Sequence, residues 1–219
     1  MLEKLPEAIG HALHNQRAGL DKLIVNRIGL RAGMGTIAVS SLAFHDHAPM
    51  PELYTADGAG TSPPLQWTGL PPQTRSVALI VEDADSPTPQ PLVHAIVVKL
   101  EPGDGALREG AMDARDGADP EVACGLNSYL QTRWLPPDPP PGHGVHRYVF
   151  QVFALAVVPA WSARPGREEV LDVLKVHALA SGTMTGTHER PDGTSKVAAE
   201  EQPTASAVLA DSPSLGTPA

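Results

Sequence analysis

Apolar positions in this chain recur in two rhythms. From residue 2 to residue 24, Leu2, Leu5, Ile9, Leu13, Leu20, Leu23 and Ile24 mostly fall three to four apart. That spacing predicts a helix over residues 1–30 with one apolar stripe, weakened at Gly10 and Gly19 and suited to docking on the body or a partner subunit. Beyond residue 35 the period shortens to two, or the runs become short and uniformly apolar. Residues 36–41 alternate around Ile37 and Val39. Residues 77–81 are all apolar, as in a strand buried on both faces. Residues 93–100 form a second such run, with His94 inside it on the face of Ile96 and Val98. Residues 145–155 form the longest strand candidate. One face carries His146, Tyr148, Phe150 and Val152; the other carries Val145, Arg147, Val149, Gln151 and Phe153. A second helix is expected over residues 168–181, with Val170, Leu171, Leu174 and Ala178 on one face. Turn-rich segments at 61–64, 69–72 and 136–144 separate the runs. Short strands with Pro and Gly breaks predict a mainly β protein, an antiparallel β-sandwich with a few peripheral helices.

Composition sharpens the boundaries. All nine aromatic residues lie between Phe44 and Trp161, so the main core belongs there. The expected organisation is an N-terminal helical extension over 1–35, one domain over 36–190 and a disordered tail over 191–219. The tail has four Pro and seven Ser/Thr but no aromatics, too little apolar surface to offset its ordering entropy. The 23 prolines disfavour a long helical bundle. The single cysteine, Cys124, rules out an intrachain disulfide and suits a reducing compartment. Net charge is −9, and no basic patch is present to attract nucleic acid. Charged residues interrupt the first thirty positions, and no apolar run approaches the ~18 residues of a membrane span. The expectation is a cytoplasmic protein with no signal peptide and no transmembrane segment.

Chemistry gathers at the strand borders. Asp83 and Asp85 follow the apolar run 77–81, and Pro87 fixes the exit. His146 and Tyr148 open the strand that leaves the Pro/Gly-rich loop 136–144. Residues two apart in an extended chain share a face, so both carboxylates could point one way, and the imidazole and phenol together. If the strands meet, these groups and His94 make one polar pocket, with the loop presenting backbone N–H groups rigidly.

These segments resemble the phosphatidylethanolamine-binding protein family, also called the Raf kinase inhibitor-like family, in its bacterial branch. Asp83-Ala84-Asp85-Ser86-Pro87 with His94 resembles its Asp-Pro-Asp-Ala-Pro and following His; Gly144-Val145-His146-Arg147-Tyr148 resembles its Gly-x-His-Arg-Tyr. Ser62-Pro63-Pro64-Leu65-Gln66-Trp67, Gly125-Leu126-Asn127-Ser128 and the stretch 182–190 resemble three further family motifs, in consistent order. The resemblance implies a β-sandwich with a small pocket for phosphate-like groups and phosphoethanolamine head groups, lined by Asp83, Asp85, Pro87, His94, Pro140, His146 and Tyr148. His94 and His146 would be the anion's donors, with the carboxylates orienting their rings. The chain departs from the family pattern at Ala84, Ser86, Ala95, Pro136, Asp138 and His188, and Asp138 brings a negative charge close to the pocket.

The function expected is a lipid- or phosphate-binding protein without a cofactor and without catalysis. It would take a small anionic or phosphorylated ligand, regulate a kinase or another protein as the family name suggests, and form a homodimer. Two rivals use the same residues: an acid–base enzyme acting on a phosphoester or lipid, and a site holding a divalent ion on Asp83, Asp85, His94 and His146. His45-Asp46-His47 reads as a solvated turn, no P-loop or Gly-x-Ser-x-Gly is present, and Cys124 reads as structural.

Overall fold

The computed structural model describes residues 11–29, 35–113 and 122–190. The expected tail over 191–219 and residues 1–10, 30–34 and 114–121 lie outside the described residues. In chain order the strands are β1 (Gly35–Thr36), β2 (Ala38–Ser40), β3 (Ala48–Pro49), β4 (Leu65–Thr68) and β5 (Ser76–Asp83), then β6 (Leu92–Leu100), β7 (Gly105–Leu107), β8 (Ala123–Cys124), β9 (His146–Leu155) and β10 (Ala178–His188). The larger sheet has the order β1-β10-β9-β5-β6-β8, and β3 also pairs with β10; the smaller sheet is β2-β4-β7. Pairing is antiparallel except where β1 and β3 run parallel to β10.

Both faces of the larger sheet are covered, which is why its central strands carry almost no exposed polar side chain. Every residue of β5 is buried. Its inner face carries Val77, Leu79 and Val81, which pack with Ala95, Val97, Phe150 and Val152 against Leu65 and Trp67 of the smaller sheet. Phe150 is flanked there by Phe44 and Trp134, with ring centroids 6.0 and 6.1 Å away. The opposite face carries Ala78, Ile80, Ile96, Val98, Phe153 and Leu155 under Val170, Leu171 and Leu174 of the helix Arg167–His177, with Ile24 and Ile28 beside them. Each large aliphatic fully buried in this way contributes roughly 1.5–3 kcal/mol.

Four local expectations are revised. The described part of the N-terminal segment is not one continuous helix: residues 11–13 are helical, and a 3-10 turn at Leu20–Lys22 and one helical turn at Ile24–Arg27 follow a break. Gly19 sits at φ 103°, and Ala18 and Gly19 donate their N–H groups to the carbonyls of Ser86 and Ala84, so contact with the body replaces the helical ladder. The C-terminal helix stops at His177, and Ala178–His188 is the strand β10. Small residues hid that strand. A Cβ on Gly182 would lie 2.0 Å from the Ile37 carbonyl oxygen, and one on Gly186 would meet Met50 and Phe44. Residues 36–41 are not one strand but a crossover, with β1 in the larger sheet and β2 in the smaller. Lastly, His94 does not share the face of Ile96 and Val98. Val81 pairs with Ala95 and Glu82 with Val93, so His94 is the extra residue of a bulge. Its ring turns to the inner face, against Trp134 and Tyr148.

Candidate functional site

A cavity of about 420 Å³ opens where β5, β6 and β9 end, and Asp83, Pro87, His94, Pro140, His146 and Tyr148 all line it. Six of the seven expected residues therefore converge. The seventh, Asp85, does not line it. Asp83 is the last residue of β5, and its Oδ1 accepts the Asp85 N–H at 2.8 Å, closing a turn. The chain is no longer extended there, so the two carboxylates part. Asp85 instead accepts from Arg147 N and Nε at 2.9 and 2.7 Å and from Arg147 Nη2 at 2.7 Å. Arg17 reaches the same carboxylate at 3.0 Å. Burial pushes the Asp85 pKa up, but the Arg147 and Arg17 hydrogen bonds outweigh it and hold the group below the usual carboxylate range.

His146 and Tyr148 do share a face. Their rings lie 6.3 Å apart at 23°, and Tyr148 meets the His94 ring edge-on at 5.0 Å. His146 Nδ1 bonds Asp83 Oδ2 at 2.7 Å, and its Nε2 lies 2.6 Å from Nδ1 of His143. His143, which the motifs did not assign to the site, is wholly buried, and its Nε2–H donates to the Leu13 carbonyl at 2.8 Å. Both nitrogens of His146 are thus engaged within the protein. The free N–H donor expected of it is therefore taken up by Asp83 and His143.

His94 is held the other way round. Its Nδ1–H donates to the Leu135 carbonyl at 2.6 Å, which leaves Nε2 as a lone-pair acceptor in the neutral ring. Burial lowers the His94 pKa and so favours that neutral form, against the pull of Asp83. Among the described residues, His94 Nε2 and the Tyr148 hydroxyl are both buried without a hydrogen-bond partner. Burial, with the nearby carboxylates, also pushes the Tyr148 pKa well above its ordinary value, so the phenol keeps its proton. The cavity floor therefore presents one acceptor and one donor, adjacent and unpaired. Leaving such groups buried and unsatisfied costs about 1–3 kcal/mol each.

The walls are mostly apolar, from Ala56, Leu92, Leu135, Pro136 and Pro139, with Gln131 and Arg133 also contributing. Asp138 belongs to the wall as well, but Arg190 binds its carboxylate and also holds Asp57. The charge expected to repel an anion is thus paired. Ala84 donates its N–H to the Arg147 carbonyl at 3.0 Å, a bond that proline could not make. The Ser86 hydroxyl accepts from Leu92 N at 3.2 Å and steadies the loop beside the cavity. Among the described residues, no group of three His, Cys, Asp or Glu side chains is placed to hold a metal ion. Asp85 is committed to two guanidiniums, so the four residues of the divalent-ion reading do not meet. Among the described residues, no helix is long and apolar enough to cross a membrane.

The sequence profile described as phosphatidylethanolamine-binding protein matches residues 40–189. A UPF0098 protein of Methanothermobacter thermautotrophicus is 34% identical over 148 residues, covering 68% of this chain and 95% of the relative. The crystal structure of a Chlamydia trachomatis homologue of the phosphatidylethanolamine-binding proteins is 33% identical with a TM-score of 0.63, covering 71% of this chain and 98% of that one. The crystal structure of Escherichia coli YbcL, described as a member of the mammalian family, is 25% identical with a TM-score of 0.65, covering 71% and 99%.

Proposed function

Because the chain belongs to the phosphatidylethanolamine-binding protein family, we propose that its cavity binds a small phosphorylated ligand, in the monoanionic form of a phosphate monoester. The observation that carries this reading is the unpaired acceptor–donor floor, His94 Nε2 beside the Tyr148 hydroxyl. A phosphate monoester bearing one proton offers a P–OH to His94 and an oxygen to Tyr148. A full dianion has no proton to give, and would set oxygen lone pairs against the His94 lone pair. The apolar walls accommodate an alkyl substituent on the phosphate, as a head group with its chain would supply. Binding without turnover is favoured because both His146 nitrogens are occupied, which leaves that ring no free nitrogen for acid–base work on a ligand.

The test is calorimetric titration with phosphoethanolamine, inorganic phosphate and sulfate between pH 5 and 8. The second ionisation of a phosphate monoester lies near pH 6. Affinity should therefore rise as pH falls through that region. Sulfate lacks the proton throughout and should bind at least about tenfold more weakly at pH 6, the equivalent of one lost hydrogen bond. Equal affinities for phosphate and sulfate, or a flat profile across the range, would refute the reading. Hydrolysis of phosphoethanolamine during the titration would favour the enzyme instead.

A further inference from the structure

The family profile begins at residue 40, yet the segment before it reaches the strand ends that frame the cavity. Leu13 accepts from His143 at 2.8 Å. Arg17 donates to the carbonyls of Val145 and His143 at 2.8 and 3.0 Å, and Ala18 and Gly19 bond Ser86 and Ala84. These contacts fasten both strand ends that frame the pocket.

The directions of the hydrogen bonds fix the protons. A carbonyl only accepts, so His143 Nε2 carries a hydrogen. The Asp83 carboxylate accepts, so His146 Nδ1 carries another. The short contact between His143 Nδ1 and His146 Nε2 needs one more between them. Three ring hydrogens on two imidazoles make one ring a cation. His146 has the carboxylate at 2.7 Å, while His143 faces the backbone of Leu13 and Gln16, no carboxylate, and lies beside Arg17. Burial, and with it the Arg17 guanidinium, also lowers the His143 pKa. The charge therefore belongs on His146.

We infer that the N-terminal segment is a positioning element of the pocket: through the Leu13 carbonyl and His143 it holds His146 as an imidazolium against Asp83. The inference rests on the phosphate reading only for its consequence, a fixed positive charge beside the anion. The other charged or titratable groups around His146 are His94 on β6, His188 paired with it across β10, and Asp138 with its partner Arg190.

The experiment is nitrogen NMR of the full chain labelled at histidine, without ligand, from pH 6 to 8. Wild type should show both His146 nitrogens protonated at pH 7. His143→Phe keeps a ring in the space but removes the acceptor. There His146 should lose the Nε2 proton and keep Nδ1–H on Asp83, and phosphate should bind about tenfold more weakly at pH 7. Arg17→Gln, milder and partly exposed, removes the cation beside His143, so the shared hydrogen should move part-way from His146 Nε2 towards His143 Nδ1. It carries the test if His143→Phe fails to fold. A neutral His146 or a doubly protonated His143 in wild type, or a His146 unmoved in the variants, would each overturn the inference. Failure of wild type to bind phosphate, with His146 charged as stated, would count against the phosphate reading alone.

Discussion

Asp83 and Asp85 are the same side chain two positions apart, and the turn between them gives them unlike tasks. Asp83 stays with the cavity and meets His146; Asp85 is turned to Arg147 and Arg17 on the other side of the strand end. Hydrogen bonds between charged groups contribute about 1.5–3 kcal/mol each, less where one partner is half in water, as Arg147 is. Asp85→Asn should therefore cost about 2 kcal/mol in urea unfolding at pH 7. The sign with pH follows from the depressed carboxyl. Its contribution is fully present above the unfolded value near 3.9 and is lost as pH falls through the folded value. The urea midpoints of wild type and variant should thus converge as the pH falls below that folded value. A gap that persists unchanged there would mean that the carboxylate's charge is not what stabilises the turn. Cys124 makes a contrasting case, since burial alone pushes its thiol up to about 11.

At the scale of elements, β10 shows what periodicity does not carry. Its neighbours press so closely that Gly182 and Gly186 leave no room for a side chain, and the strand lacks the large apolar residues by which strands announce themselves. Gly182→Ala should cost about 1–3 kcal/mol, because the obstacle is the Ile37 backbone and not a movable side chain. A variant as stable as wild type in thermal unfolding would show that β1 can move aside. By contrast, β5 and β9 were legible. Near-uniform burial along both follows directly from their Val, Ile, Leu and Phe. So was the pocket's position, because its polar residues interrupt those runs. The environment of each residue was not. The turn after Asp83, the bulge at His94 and the partnership of His143 with His146 depend on contacts more than forty residues apart in two cases, and spacing alone holds no record of them.

The whole molecule is tied together on the face away from the cavity by one buried ion pair. Glu82, fully buried on β5, accepts from Arg167 Nε at 2.7 Å, from Gln151 Nε2 at 2.8 Å and from Ile24 N at 2.9 Å. Arg167 also donates to the Lys22 carbonyl at 2.6 Å. One carboxylate thus joins the larger sheet, the C-terminal helix and the N-terminal segment. Glu82→Ala strands the Arg167 charge, a change that costs about 3–5 kcal/mol. Denaturation should show that loss together with earlier proteolysis around residues 20–28. Global destabilisation without local release would mean that the segment is held by its apolar contacts alone.

The bulge on β6 also acts as a phase marker. Up to Val93 the strand keeps one count of inside and outside, and from Ala95 to Val98 it keeps the other; His94 is where the two counts meet. Deleting that single residue would bring these two stretches into step against β5. The sheet would be more regular, and the cavity would have lost its floor.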